Sequence, residues 1–183
     1  MVYEISFFAV AAVNETWELV RRIPEYQRKA GVSLFRKLFD LDPSAAEVFR
    51  FDKNALLDED EFYRSERLIK HAMMFINMLD RALQLLGPDS AMMSDILSEL
   101  GEKHVKYGVK PHHFAAMGEA LMGVLAELLG DRFDKETRDA WCEVYQLMSC
   151  DMIQASCPPC DQYSIHPGRR QSGDNWIIVD LAD

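Results

Sequence analysis

Met93-Ser94-Asp95-Ile96-Leu97-Ser98-Glu99-Leu100-Gly101-Glu102-Lys103-His104-Val105-Lys106-Tyr107-Gly108 is the stretch that decides the reading of this chain. Met93, Ile96, Leu97 and Leu100 recur at helical spacing, and one further turn brings His104 onto the same apolar face. Gly108 then supplies a helix stop. Upstream, Gly87-Pro88-Asp89-Ser90 marks a stop and restart, and before it Leu68, Ala72, Phe75, Leu79, Leu83 and Leu86 form a second stripe with His71 beside it. Two consecutive helices thus each direct one imidazole inward, with no inward Asp or Glu close in sequence to satisfy either. A buried polar group needs a partner. Core histidines held by backbone carbonyls are one reading of the pair. Ligands to a transition metal are the other, since neutral imidazole is the commonest protein ligand for such ions.

Composition limits what such a pair can belong to. At 183 residues the chain fits one domain and can bury roughly two-thirds of its unfolded surface, enough to enclose a large flat ligand. A net charge of -10 and a pI of about 5.0 disfavour nucleic acid and anionic membranes as partners, because both require clustered Lys and Arg. No stretch is expected to span a membrane, and the apolar opening Ile5 to Val13 lacks the basic leader of a secretory signal. A cytoplasmic location is the resulting expectation. Cys142 and Cys150 read as small apolar fillers on one helix. Cys157-Pro158-Pro159-Cys160 has C-x-x-C spacing with no second pair, which leaves an incidental role, a local disulfide or a metal knuckle open.

Helical period runs through residues 14–154. Asn14 is expected to cap a first helix carrying Trp17, Leu19, Val20 and Ile23, and Pro24 to open a second with Ala30, Leu34, Phe35, Leu38 and Phe39. Asp42-Pro43 ends it. A short helix from Ser44 to about Phe49 and an acidic loop over 52–60 lead into the helix bearing His71. After Gly108, Pro111 starts a helix that Gly130 closes, and a last helix runs from about Asp134 to Gln154. Residues 1–13 and 155–183 read as extensions. Their apolar ends are expected to dock on the helical body, in one version by pairing with each other as short strands.

Helix order, proline placement and the two inward histidines together resemble a globin, most closely the neuroglobin-like globins. The residues carrying the resemblance are Thr16-Trp17, Leu34-Phe35 with Leu38-Phe39, Asp42-Pro43 through Val48-Phe49, Lys70-His71-Ala72, Leu100-Gly101-Glu102-Lys103-His104, Gly108-Val109-Lys110, Met117-Gly118-Glu119 and Ala140-Trp141. The likeness spans about residues 14–154 and implies an all-α globin fold of about eight helices with N- and C-terminal extensions. It further implies a haem b (iron protoporphyrin) cofactor, with His104 as proximal iron ligand and His71 as distal histidine and reversible sixth ligand. Phe35, Phe49, Phe75, Leu100, Val109, Phe114, Met117 and Leu121 match the walls of the haem cleft. Lys70, Lys103 and Tyr107, with Arg67, stand near enough to the two histidines to be partners for the haem propionates.

What the resemblance implies about function is reversible binding of dioxygen, carbon monoxide or nitric oxide at a hexacoordinate iron. Nitric oxide dioxygenation, nitrite reduction and electron transfer use the same pocket, and any turnover implies an external reductase because the chain carries no flavin or nicotinamide domain of its own. A haem-free helical interaction module is the alternative from another class. Two positions depart from the neuroglobin pattern: the corner loop has no cysteine, and Met74 stands where a propionate-binding lysine is common. His112 and His113 are expected to be surface residues.

Overall fold

Ser6 sets where the first helix begins. In the computed structural model, which describes residues 5–49 and 65–154, Ser6 is extended (φ -67°, ψ 138°) and its Oγ accepts a hydrogen bond from the Ala9 amide at 3.0 Å, capping α1, Phe7–Arg21. The helix therefore starts well before Asn14, which is exposed within it. Burial explains the difference: Ala9 and Val13 are enclosed against the last helix, while Phe7 and Phe8 face out. The N-terminal flank thus docks as helix rather than strand, and residues 176–181, its suggested partner, lie outside the described residues.

The order continues with α2, Tyr26–Leu41, α3, Ser44–Val48, α4, Glu66–Leu85, α5, Ser90–Lys106, α6, Pro111–Leu129, a 3-10 turn at Gly130–Arg132, and α7, Lys135–Gln154. Pro24 stays in the turn before α2, where Glu25 adopts a left-handed conformation. The acidic loop at 52–60 lies outside the described residues, among which there is no strand. Asp89 caps α5 through the Met92 amide, Pro111 stands at the start of α6, and Asp134 accepts from the Thr137 amide to start α7. These are the expected stops and starts, and the fold is all-α as expected.

Four helix pairs carry the core: α2 packs on α4 and on α6, and α7 packs on α1 and on α5. Trp17 and Trp141 meet edge to face at 5.7 Å between the first and last helices. Trp141 donates from Nε1 to Thr16 Oγ1 at 2.9 Å, and Trp17 donates to Asp80 Oδ1 at 2.7 Å, so neither buried indole is left unpaired. The stripe of α4 is Leu68, Ala72, Ile76, Leu79 and Leu83; Phe75 is only half-buried at its edge, and on α5 Ile96 turns out to solvent. Contrary to the expectation from sequence, Pro111–Arg132 is long and apolar enough to cross a bilayer. Here its apolar face is a core surface, with Ala120, Leu121, Val124 and Leu125 enclosed by neighbouring helices.

Two close crossings fix the heights of α4 and α5. A Cβ placed on Gly31 would lie 2.7 Å from the Ala72 carbonyl oxygen, and one on Gly101 would lie closer still to that of Met152. Both neighbours are backbone and cannot yield. Gly31→Ala and Gly101→Ala are each expected to destabilise the fold by about 1–3 kcal/mol, as overpacking does. Gly123, whose added Cβ would meet only the flexible Lys37 side chain, is the control. Gly123→Ala should be neutral or up to about 1 kcal/mol stabilising in denaturant unfolding, because alanine favours the helix.

Asp80 accepts hydrogen bonds from Trp17 and, at 2.7 Å, from Arg21 Nε. Burial alone would raise its pKa, but the Arg21 and Trp17 bonds and the Arg21 charge hold it below the ordinary carboxylate value. A carboxyl depressed in the folded state stabilises it above the unfolded pKa, and that contribution is lost as pH falls below about 4. Asp80→Asn should accordingly flatten the acid limb of stability against pH, measured by unfolding between about pH 5 and 3.

Candidate functional site

α4 presents His71 one residue before Ala72, the residue pressed against Gly31, so the crossing of α2 and α4 sets the height of this imidazole. Four residues beyond Gly31 on α2 comes Phe35, whose ring meets His71 edge-on at 5.4 Å. Phe49, at the end of α3, meets it from another side at 4.9 Å, and Phe35 and Phe49 contact each other at 5.5 Å. Phe75 packs on Phe35 at 6.2 Å. Three phenylalanines chosen from sequence therefore converge around one histidine. Desolvation by this apolar surround, with the neighbouring His104 and Arg67, holds His71 below the ordinary imidazole pKa. It is neutral at neutral pH, with one nitrogen lone pair available.

His104 stands in the last turn of α5, one turn beyond Gly101. Its Nδ1 lies 2.8 Å from the Leu100 carbonyl oxygen, which can only accept, so Nδ1 carries a proton and Nε2 is the nitrogen left with the lone pair in the uncharged ring. A backbone acceptor on one ring nitrogen is the usual support for a histidine that ligates through the other. The His104 carbonyl accepts from the Tyr107 and Val109 amides, and Gly108, at φ 88°, ends the helix there. Across from His104 lies Phe114, with ring centroids 6.2 Å apart. Phe114 is fixed in turn by Tyr145, whose hydroxyl donates to its carbonyl at 2.7 Å and whose ring lies against Gly118. Burial pushes the Tyr145 phenol well above its ordinary pKa, so it remains a donor.

The remaining wall residues divide by burial. Leu121 and Phe114 are buried on α6, whereas Leu100, Val109 and Met117 are half-exposed. Lys70 and Lys103 are exposed and each pairs one turn back along its own helix, with Glu66 and Glu99, both at 2.7 Å. Tyr107 is 67% exposed and Met74 60%, both at the surface. Cys142 is half-buried and its thiol is pushed up to about 11 by desolvation, in keeping with an apolar filler. Cys157 and Cys160 lie outside the described residues.

One expectation is corrected here. His112 is exposed, but His113 is 7% exposed and caps α6, its Nδ1 accepting from the Lys110 amide at 3.1 Å. The reason is its position at the start of a helix that dives into the core, where the first-turn amides need acceptors. Sequence reading also missed the partners of His113, Asp42 and Ser44, from the end of α2 and the start of α3. The Asp42-Pro43-Ser44 corner was legible as a turn, but nothing in it announced contact with residues so far along the chain.

Comparison with known proteins gives the same answer as the fold. A family model described as Globin matches residues 32–152. The chain is 34% identical over 122 residues to a neuroglobin of Tetraodon nigroviridis, covering 67% of this chain and 76% of that protein. It is 30% identical over 144 residues to a neuroglobin of Danio rerio, covering 78% and 86% respectively. A protein of Brassica napus named anaerobic nitrite reductase is 32% identical over 139 residues, covering 74% of this chain and 81% of its own length. With the family model matching over most of its length and relatives at this level of identity, the chain belongs to the globin family.

Proposed function

We propose that this chain binds haem b between α4 and α5, with His104 as the permanent axial ligand and His71 as a reversible sixth ligand, and that it binds dioxygen, carbon monoxide and nitric oxide reversibly. The observation that carries the reading is the Nδ1 bond from His104 to Leu100, which leaves Nε2 as the ring nitrogen available to a metal. The donor set fits iron in a porphyrin: two imidazoles, and phenylalanines at 35, 49, 75 and 114 beside them. Bound there, haem supplies a redox-active iron able to take a diatomic ligand.

The chain's own residues do the rest. Phe35, Phe49, Phe75, Phe114 and Leu121, with Leu100, Val109 and Met117, offer the apolar surface whose removal from water favours binding by roughly 25 cal/mol per Å². Lys70 and Lys103 are exposed groups whose present ion pairs are worth little, and Tyr107 is exposed too, so all three are available to the two propionates. His71, uncharged, has one lone pair and one N–H. It serves either as ligand or as hydrogen-bond donor to a bound gas, and while it is the ligand the apparent gas affinity falls by the fraction of chains in which it has moved away.

A second reading, nitrite reduction or related redox turnover with an external reductase, is favoured by the plant relative named anaerobic nitrite reductase. It requires the same two histidines. Haemin titration of the purified chain tests both readings at their common root. Saturation at one equivalent is expected, with affinity falling in His104→Ala by at least the roughly 10–100-fold that loss of even a supporting group costs a metal site, and with uptake retained in His71→Leu. A chain that purifies colourless and refuses haemin, or that binds it equally well without His104, would instead make the histidines core residues of a haem-free interaction module.

A further inference from the structure

Asp42, at the end of α2, and His112 and His113, in the first turn of α6, bring three ligand atoms within 4.8 Å of one another. Asp42 Oδ2 lies 3.5 Å from His112 Nε2 and 3.8 Å from His113 Nε2. Ser44 Oγ, which donates to Asp42 Oδ1 at 2.6 Å, sits 3.4 and 3.1 Å from the same two nitrogens. Successive side chains on a helix ordinarily diverge by about 100°. Here the two rings converge on one carboxylate, with centroids 4.2 Å apart.

We propose that Asp42, His112 and His113 form a site for one divalent transition-metal ion of the zinc class, with water completing the coordination. Two imidazoles and a carboxylate are a donor set suited to such ions. Tetrahedral ligands at metal bonds of about 2.0–2.1 Å stand about 3.3 Å apart, so the two carboxylate–imidazole separations need to shrink by about 0.2 and 0.5 Å, and the two imidazole nitrogens, within 4.8 Å of each other, close by ring rotation. Access is open, since the His112 side chain is half-exposed while Asp42 and His113 form the floor.

Binding requires a tautomer change at His113. Without metal, its Nδ1 accepts from the Lys110 amide, so Nε2 carries the proton. Ligation through Nε2 moves that proton to Nδ1 and releases the Lys110 amide to solvent, with no net change in the charge of the ring. An ion so held ties the α2–α3 corner, which leads into Phe49, to the start of α6, which leads into Phe114. Those two rings contact His71 and His104, so the site clamps both walls of the cleft from outside it.

Isothermal titration of the full-length protein with zinc chloride tests the assignment. Haemin is present in excess to keep His71 and His104 from the added ion, and both Cys157 and Cys160 are changed to Ser to remove competing thiols. One zinc per chain with a micromolar Kd is expected, weakened at least about 30-fold in His112→Ala and in Asp42→Asn. Zinc should raise the melting temperature of the parent but not of His112→Ala, and nitrogen NMR should show the His113 proton moving from Nε2 to Nδ1. Binding weaker than about 1 mM, or binding that neither substitution alters, overturns the assignment, whether or not haemin is taken up.

Discussion

Two imidazoles can share one cleft only if the helices that carry them are held at fixed heights. That constraint is met by two backbone crossings, Gly31 on Ala72 and Gly101 on Met152. In each, the glycine lets a helix approach another's carbonyl more closely than any Cβ would permit. His71 is adjacent to Ala72 and His104 lies one turn beyond Gly101, so both candidate ligands are set within a turn of a contact that cannot slide.

Around this frame, each histidine is prepared differently. His104 is fixed by a hydrogen bond that decides its tautomer, which makes it a dedicated donor. His71 is held by aromatic edges and desolvation, which keep it neutral. The asymmetry suits one fixed ligand and one exchangeable ligand.

Much of this was legible in the sequence because it is local. The Gly87-Pro88-Asp89 stop, the Pro111 start and the Gly108 and Gly130 terminators each act within a few residues, and both histidines follow the apolar period of their helices. The start of α1 was not legible: Phe7-Phe8 followed by β-branched residues reads as an apolar flank, and only the burial of Ala9 and Val13 against α7 decides for helix. Ile96 fits the stripe of α5 by period yet turns out to solvent, because α7 covers one side of that helix. Burial of His113 depends on a corner some seventy positions earlier, a pairing that no local pattern encodes.

The absorption spectrum of the reduced, ligand-free protein bears most directly on the central claim. If His71 and His104 both ligate iron, the ferrous form is low-spin, with sharp, resolved visible bands that His71→Leu converts to a broad high-spin band. A broad high-spin band in the unsubstituted protein would contradict ligation by His71 and leave it as a guard of the cleft.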